Sequence, residues 1–299
     1  MDKWLDLFCG AGGFSCGFLD KNNQFIGVDM WDIALETYRN NIHGETIQAD
    51  MMQLDLTTIG KIDGLIGSPP CQPHSTANKH ATHDTTLIKR YLEIRDALKP
   101  RWWVMEEVPG AAKYGLIEKG YIHFFKACDF GLPHVRNRLF AGNYPVPKKH
   151  PYKAFMIMTP KTMGMNKPGV PRPVWDRTNA LITGMIKTPI AAMRGYYHGP
   201  DDKENIIRTA TGLFPTICAN SGNHVGSFQT VNNAKQAGLR TSINDIITPA
   251  FCAKIMGFPD DYAFSGNKTQ QYKQIGNAVC PPVARAIWNA ITTTTMRLF

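Results

Sequence analysis

The sequence predicts an α/β protein: a doubly wound, mostly parallel sheet with a smaller, loop-rich and basic second domain. Three observations support this fold class. Short apolar runs alternate with helix-like segments over the first 142 residues, as is typical of parallel sheets. From about Tyr144, frequent prolines and aromatic residues replace that alternation. The excess of basic side chains is confined to the second half of the chain.

Five apolar runs in the first domain have the length and composition of strands. They cover residues 4–8, 24–29, 45–50, 62–67 and 102–106. Ligands of such sheets bind beyond the carboxyl ends of the strands. Four of the runs end beside a residue that can bind a ligand or carry out chemistry, namely Phe8, Asp29, Asp50 and Glu106.

Helical periodicity follows most of these runs. It predicts helices over residues 13–20, 33–41 and 85–98, a further helix near 118–128, and a C-terminal helix over 281–296 that packs back on the sheet. We therefore expect a catalytic and cofactor-binding domain formed by residues 1–143 and 275–299. Residues 144–274 would form the small domain.

The charge is unevenly distributed along the chain. Residues 1–142 hold 15 basic and 17 acidic side chains, whereas 143–207 hold 10 and 4, and 208–299 hold 8 and 3. Such asymmetry favours a polyanion as the partner of the second half and a small-molecule or catalytic task for the first. A generally basic surface is the simpler alternative.

The composition also limits the cellular setting. No apolar run approaches the roughly 20 residues that span a bilayer, and the first residues have no signal-peptide pattern. Seven cysteines at irregular spacing suit free thiols in a reducing compartment. We expect a cytoplasmic protein without membrane association.

A glycine-rich turn lies between the first predicted strand and the first predicted helix. Gly10, Gly12 and Gly13 let backbone N–H groups approach a ligand closely, although a tight turn needs glycine in any case. Asp29 is placed to accept hydrogen bonds from ribose hydroxyls, and Asp50 from an adenine amino group. Either could instead cap a helix. Together these residues indicate a cofactor that contains adenosine.

Cys71 follows two prolines, which stiffen the backbone and hold the thiol at the entrance of a loop. Such a thiol is a candidate nucleophile, while Cys9 and Cys16 better fit buried structural thiols. The spacings Cys71-x-x-His74 and His80-x-x-His83 leave zinc as an alternative, but the longer separation usual between ligand pairs is missing. We expect no metal.

Glu106 leaves an apolar strand, so its carboxyl group should be partly desolvated and able to donate a proton. Arg136 and Arg138 alternate in a predicted strand and would point to the same face. They could orient that carboxylate or bind phosphate, or form ordinary surface ion pairs.

In this order, the glycine turn, the Pro-Pro-Cys-Gln sequence at 69–72, Glu106-Glu107-Val108 and the Arg-x-Arg sequence resemble the DNA (cytosine-5)-methyltransferases. Residues 208–217 and 274–279 are similar to that family's ninth and tenth motifs, and 256–262 to the sequence before the tenth. Only the basic lobe at about 144–207 lies outside the resemblance. The family implies a Rossmann-like methyltransferase fold, with this lobe as the target-recognition region.

The resemblance also implies the reaction and its residues. Cys71 would attack carbon 6 of a cytosine flipped out of duplex DNA, and Glu106 would protonate its ring nitrogen 3. Arg138 would hold the base and Arg136 the surrounding network, while Asn277 would brace the catalytic loop. The residues implied to hold S-adenosylmethionine, and its product S-adenosylhomocysteine, are Phe8, Gly10, Gly12, Gly13, Asp29, Met30, Asp50, Met51, Pro70 and Asn277.

Four positions depart from the family pattern. Glu107 stands where asparagine is usual, which places a second acidic side chain beside Glu106. His134 replaces a common glutamine, His74 a frequent phenylalanine, and Met30 a frequent tryptophan. The departures leave Cys71 and Glu106 in place.

Two alternative functions stay open. One branch of the resemblance acts on transfer RNA, although the sizeable basic lobe favours DNA. A catalytically silent relative that binds DNA is the other alternative, and the presence of both Cys71 and Glu106 argues against it. We expect a bacterial, archaeal or viral modification enzyme that acts as a monomer, either alone or beside a cognate restriction nuclease.

Overall fold

A computed structural model describes residues 2–70, 84–134, 136–151 and 248–296. Its centre is a seven-stranded sheet with the strand order β3-β2-β1-β4-β5-β7-β6. The pairs among β1 to β5 are parallel, and β7 runs antiparallel to both of its neighbours. The strands are β1 (Asp2–Leu7), β2 (Asn23–Asp29), β3 (Glu45–Gln48), β4 (Gly64–Gly67), β5 (Trp102–Glu107), β6 (Ile122–Lys126) and β7 (Asn137–Asn143).

Helices cover both faces of this sheet, which confirms the predicted doubly wound, mostly parallel architecture. In chain order they are α1 (Gly13–Phe18), α2 (Asp32–Asn41), α3 (Thr86–Leu98), α4 (Pro249–Met256), α5 (Lys268–Asn277) and α6 (Pro281–Met296). Local sequence explains the ends of the later helices. The Thr248 side chain caps α4, and Asn267 and Gln270 form a reciprocal capping box at α5.

One predicted element is wrong. Residues 118–128 do not form a helix; they contain β6 between short 3₁₀ turns at Lys119–Tyr121 and Ala127–Asp129. A helix there would leave the backbone of β7 unpaired on one side, whereas β6 pairs with it from Ile122 to Lys126. Pairing between distant segments therefore overrides the local helical pattern.

Each face of the sheet has its own hydrophobic core. On one face, α1, α2 and the three C-terminal helices pack against Trp4, Ile66 and Val104. On the other face, α3 and the residues near Met51 pack against Leu5, Leu65 and Met105. Because side chains of a strand point alternately to the two faces, this division also assigns a face to the polar residues that end each strand.

The predicted C-terminal helix is confirmed, and it packs on the sheet domain. α6 lies against α1, where a Cβ atom added to Gly17 would meet Ala284 and the carbonyl oxygen of Pro281, the latter at 2.7 Å. Trp288 of α6 packs edge-on against Trp4 of β1. Glycine at position 17 thus permits the close approach of these two helices.

The division into two domains stays a prediction, because most of the expected small domain, residues 152–247, lies outside the described residues. α4 and Phe258 belong to the same core as α1. None of the helices in the described ranges is long and apolar enough to cross a membrane.

Candidate active site

The strand order reverses between β1 and β4, so a crevice opens beyond their carboxyl ends. The glycine turn occupies this position. Its backbone is left-handed at Phe8 (φ 56°), Gly10 (φ 50°) and Gly12 (φ 82°). A phenylalanine in that region is uncommon and costs energy, which is typical of functional sites. A Cβ atom at Gly10 would meet no atom within 4 Å, so this part of the turn faces open space.

Asp29 ties the end of β2 to the glycine turn. Its Oδ2 accepts a hydrogen bond from the Gly10 N–H at 2.8 Å, and its Oδ1 accepts one from the Trp31 N–H at 2.9 Å. Burial raises the pKa of this carboxyl group. The carboxylate has more lone pairs than these N–H groups use, so the predicted contact with ribose hydroxyls is compatible with the geometry and stays a prediction.

Met30 and Asp50 lie at the neighbouring strand ends. The Met30 side chain is 71% exposed, which is unusual for a large apolar residue. Asp50 is exposed and caps the 3₁₀ helix Met51–Gln53 by accepting a hydrogen bond from the Met52 N–H at 2.9 Å. Met51 is buried in the core on the α3 side of the sheet. The helix-cap alternative for Asp50 therefore holds, and among the described residues only Oδ1 of its carboxyl group accepts a hydrogen bond.

Packing explains why positions 12 and 13 are glycine. A Cβ atom at Gly12 would lie 2.9 Å from Ile42 and from the hydroxyl of Tyr262, and one at Gly13 would strike the carbonyl oxygen of Val279. Asn277 is exposed at the end of α5, two residues before that contact. These glycines admit the C-terminal segment to the turn, and their predicted contact with a cofactor stays a prediction.

Sequence reasoning missed several residues that hold the turn in place. The hydroxyl of Tyr262 donates a hydrogen bond to the Ala11 carbonyl. Beneath the turn, the Ser15 hydroxyl donates to the buried carboxyl group of Asp6 at 2.6 Å and lies 2.7 Å from the Tyr38 hydroxyl. Burial raises the pKa of Asp6 to about 7. These contacts join residues that are 9, 23 and 251 positions apart, which is beyond the period of a strand or a helix, so no local pattern signals them.

The second group of site residues lies at the ends of β5 and β7. Arg138 Nε is 2.9 Å from Glu106 Oε1, and the exposed fractions of the two side chains are 18% and 8%. Glu106 and Arg138 lie on the same face of the sheet because Glu106 is paired with Phe140, two residues from Arg138. β7 begins at Asn137, so Arg136 precedes the strand in which the sequence predicts it. The structure thus orients Glu106 with Arg138.

Glu107 points to the opposite face. It is paired with Leu139 and lies on the side of Met105, and its side chain is fully buried. Its Oε2 accepts a hydrogen bond from the Val108 N–H at 2.7 Å, while its Oε1 has no hydrogen-bond partner among the described residues. Burial, opposed by that hydrogen bond, raises the pKa of Glu107 to about 8.

His134 and Arg136 precede β7 and lie near the Glu106–Arg138 ion pair. His134 is fully buried, and its Nε2 lies 3.8 Å from the Cys280 thiol. Burial, followed by the charges of Arg136 and Arg138, lowers the pKa of His134 to about 3. A neutral imidazole therefore occupies this position at ordinary pH, beside a largely buried Arg136.

The segment that leads to the predicted nucleophile leaves β4 beside β1, since the Ser68 N–H donates a hydrogen bond to the Leu7 carbonyl at 3.2 Å. Pro70 is exposed at the end of this segment. Cys71 and His74 lie outside the described residues, as does most of the predicted target-recognition region. The zinc alternative rests on the same undescribed loop, and the described residues contain no cluster suited to a metal ion.

The two groups of site residues share one edge of the sheet. The glycine turn follows β1 and Asp29 ends β2. Glu106 lies near the end of β5, and Arg138 lies near the start of β7. Only β4 separates β1 from β5. Because neighbouring strands are about 4.8 Å apart, the ends of β1 and β5 are separated by roughly 10 Å. One edge therefore holds the glycine turn close to an acid paired with an arginine.

Comparison with known sequences identifies relatives along nearly the whole chain. The family model for C-5 cytosine-specific DNA methylase matches residues 3–293. The type II methyltransferase M.NlaX of Neisseria lactamica is 29% identical over 313 residues, covering 96% of this chain and 95% of that protein. The type II methyltransferase M.HhaI of Haemophilus parahaemolyticus is 26% identical over 307 residues, covering 93% and 90%.

Solved structures show the same fold. The methyltransferase EhMeth of Entamoeba histolytica has a TM-score of 0.65 and 17% identity, covering 99% of both chains. A DNMT2 variant of Spodoptera frugiperda has a TM-score of 0.59 and 17% identity, covering 98% of this chain and all of that one. With the match of the family model, these findings establish that the chain belongs to the C-5 cytosine-specific DNA methylases.

Proposed function

We propose that this protein transfers a methyl group from S-adenosylmethionine to carbon 5 of a cytosine in duplex DNA. The observation that carries the proposal is the ion pair of Glu106 with Arg138 at the same sheet edge as the glycine turn. An acid held against a guanidinium group beside an adenosine-type site suits a reaction in which a base is protonated during methyl transfer.

The residues of the turn fit the cofactor. Gly10 faces open space, the Asp29 oxygens have lone pairs to spare, and the exposed Met30 offers an apolar surface to an adenine ring. We assign Phe8, Gly10, Gly12, Gly13, Asp29, Met30, Asp50, Met51, Pro70 and Asn277 to this site. S-adenosylmethionine, when bound there, supplies the methyl group.

Cytosine is a poor nucleophile at carbon 5, and the proposed residues overcome this in two ways. The Cys71 thiolate adds to carbon 6, and Glu106 gives a proton to ring nitrogen 3, so that carbon 5 becomes enamine-like. Arg138 holds Glu106 and the base. After methylation, loss of the carbon 5 proton and elimination of the Cys71 thiolate restore the aromatic ring.

The proposed substrate is duplex DNA, from which the target base must be extruded. The basic second half of the chain provides the charge that phosphate contacts require. The relatives M.NlaX and M.HhaI, both named type II methyltransferases, support DNA as the substrate. The loops of the basic lobe would then read the DNA sequence.

The proposal is tested by nucleoside mass analysis after incubation of the protein with S-adenosylmethionine and either unmethylated duplex DNA or transfer RNA. New 5-methylcytosine in DNA with the native protein, and none with Cys71→Ser, is the expected result. Methylation of transfer RNA alone would overturn the DNA substrate. Binding of S-adenosylhomocysteine and of DNA without methylation of either nucleic acid would identify a silent binder.

A further inference from the structure

Two consecutive acidic residues end β5, and their side chains have different surroundings. Glu106 is paired with Arg138 at 2.9 Å. Glu107 has no ion-pair partner within 4 Å among the described residues, and it accepts only the Val108 N–H. Two adjacent buried carboxylates that share one cation are costly if both are ionised.

The surroundings of Glu107 are apolar. Its face of the sheet is covered by Ile88 of α3 and by four residues after β5, namely Ala111, Ala112, Leu116 and Ile117. The neighbouring strand β7 presents Leu139 beside it. None of these side chains can solvate a carboxylate.

Among the described residues, two charged side chains act on Glu107. The charge of Glu106 opposes ionisation of Glu107, and the charge of Arg138 favours it. The opposing effect of Glu106 is the larger of the two. Arg138, the one cation among the described residues whose charge acts on Glu107, is therefore committed to Glu106 by contact and favours ionisation of Glu107 only weakly.

We propose that Glu107 is a positioning residue that works in its protonated form, as a neutral stand-in for an amide, so that Arg138 serves Glu106 alone. One oxygen of the acid accepts the Val108 N–H, as an amide oxygen would, and the proton rests on the buried Oε1 side. Ionisation of Glu107 then adds a second negative charge that acts on the Glu106–Arg138 pair through its electrostatic field, without contact with Arg138. The inference rests on the proposed methyl transfer, and it implies that methyl transfer slows at high pH, where Glu107 ionises.

The first test is the pH dependence of methyl transfer from pH 6.5 to 9, which brackets the pKa of about 8. Each protein is measured relative to its own turnover at pH 6.5. The native enzyme should lose about tenfold at pH 9, because about a tenth of the acid stays protonated one unit above its pKa. Glu107→Gln and Glu107→Asn, which cannot ionise, should lose about threefold or less. Glu93→Gln, an exposed carboxylate on α3, should follow the native profile.

A second measurement does not depend on activity. Difference infrared spectra of the native protein and Glu107→Gln at pH 6.5 should show the carbonyl band of a protonated carboxylic acid, which disappears from the difference at pH 9. Asp6 also has a raised pKa, but it is present in both proteins and cancels. Superimposable pH profiles, or a difference spectrum without an acid band, would overturn the inference. An acid band in a protein that methylates nothing would uphold the protonated Glu107 and defeat the proposed reaction.

Discussion

The hydroxyl of Tyr262 donates a hydrogen bond to the carbonyl oxygen of Ala11, across 251 positions of the chain. This bond attaches the segment between α4 and α5 to the glycine turn. Phe258 and Phe264 pack around the Tyr262 ring, so the hydroxyl is held where the turn needs a donor. The turn is thus shaped by a residue outside it.

Removal of that hydroxyl should weaken cofactor binding. In Tyr262→Phe the Ala11 carbonyl loses its partner, at a net cost of about 1 kcal/mol, or roughly fivefold in the dissociation constant. Calorimetric titration with S-adenosylhomocysteine measures the change. Tyr121→Phe, which alters an exposed ring far from the turn, should bind as the native protein does, and equal affinities for all three proteins would contradict the assigned role.

Glu106→Gln should separate chemistry from binding. The substitution keeps the size of the side chain but removes the acid that we propose as the proton donor, so single-turnover methyl transfer should fall by about 100-fold or more. Affinity for S-adenosylhomocysteine should change little, because Asp29 and the turn remain. Turnover near the native rate would exclude Glu106 as the acid. Glu93→Gln controls for loss of a negative charge.

Two glycine substitutions should affect different properties, one the free energy of unfolding and the other the cofactor affinity. Gly17→Ala places a methyl group against Ala284 and the Pro281 carbonyl, and overpacking of this kind lowers the free energy of unfolding by about 1–3 kcal/mol. The methyl group of Gly10→Ala meets no neighbouring atom within 4 Å. This substitution should mainly weaken cofactor binding, by about tenfold or more, because it strains the backbone and because the methyl group occupies space that the cofactor needs. Urea unfolding and calorimetric titration of both variants provide the comparison. Tight cofactor binding by Gly10→Ala would show that the open space is not the cofactor site.

Stability should depend on pH through Glu107. Its pKa is about 8 in the folded protein, against an ordinary value of 4.5 for a solvated glutamate, so the unfolded chain releases this proton first as the pH rises. The free energy of unfolding then falls by up to about 1.4 kcal/mol per pH unit between these values and levels off above them. Glu107→Gln lacks this contribution, so its stability advantage should grow from pH 5 to pH 8 in urea unfolding. Parallel curves for the two proteins would show that Glu107 ionises freely.

Local patterns predict much of the sheet but not its outer edge. The strands that end at Asp29 and Glu107 are apolar runs closed by charged residues, and the sequence predicts each to within two residues at either end. The strand β6 escapes prediction because its residues alternate poorly, with only Phe125 buried. Its conformation is fixed by pairing with β7, which a local period does not reveal.

The residues of the candidate site also fall into two groups, those that local sequence indicates and those that it does not. Asp29, Glu106 and Arg138 can be identified from sequence because the chemistry of each is visible beside a strand. Their partners are harder to foresee, since Tyr262 and the Thr37–Gln274 hydrogen bond depend on contacts across more than 200 positions. The sequence predicts Arg136 within a strand that in fact begins one residue later, because the pairing with Lys126 sets that start.

The contact between α1 and α6 has a consequence for the stage of synthesis at which the glycine turn becomes stabilised. The glycine turn and α1 are built from residues synthesised early. Tyr262 and Val279, which contact the turn, and Ala284, which contacts α1, are synthesised late. A nascent chain that has not yet emerged past α6 lacks these supports. Translation of almost the whole described polypeptide therefore precedes a fully braced turn, and premature termination before α4 would leave a truncated product without any of them.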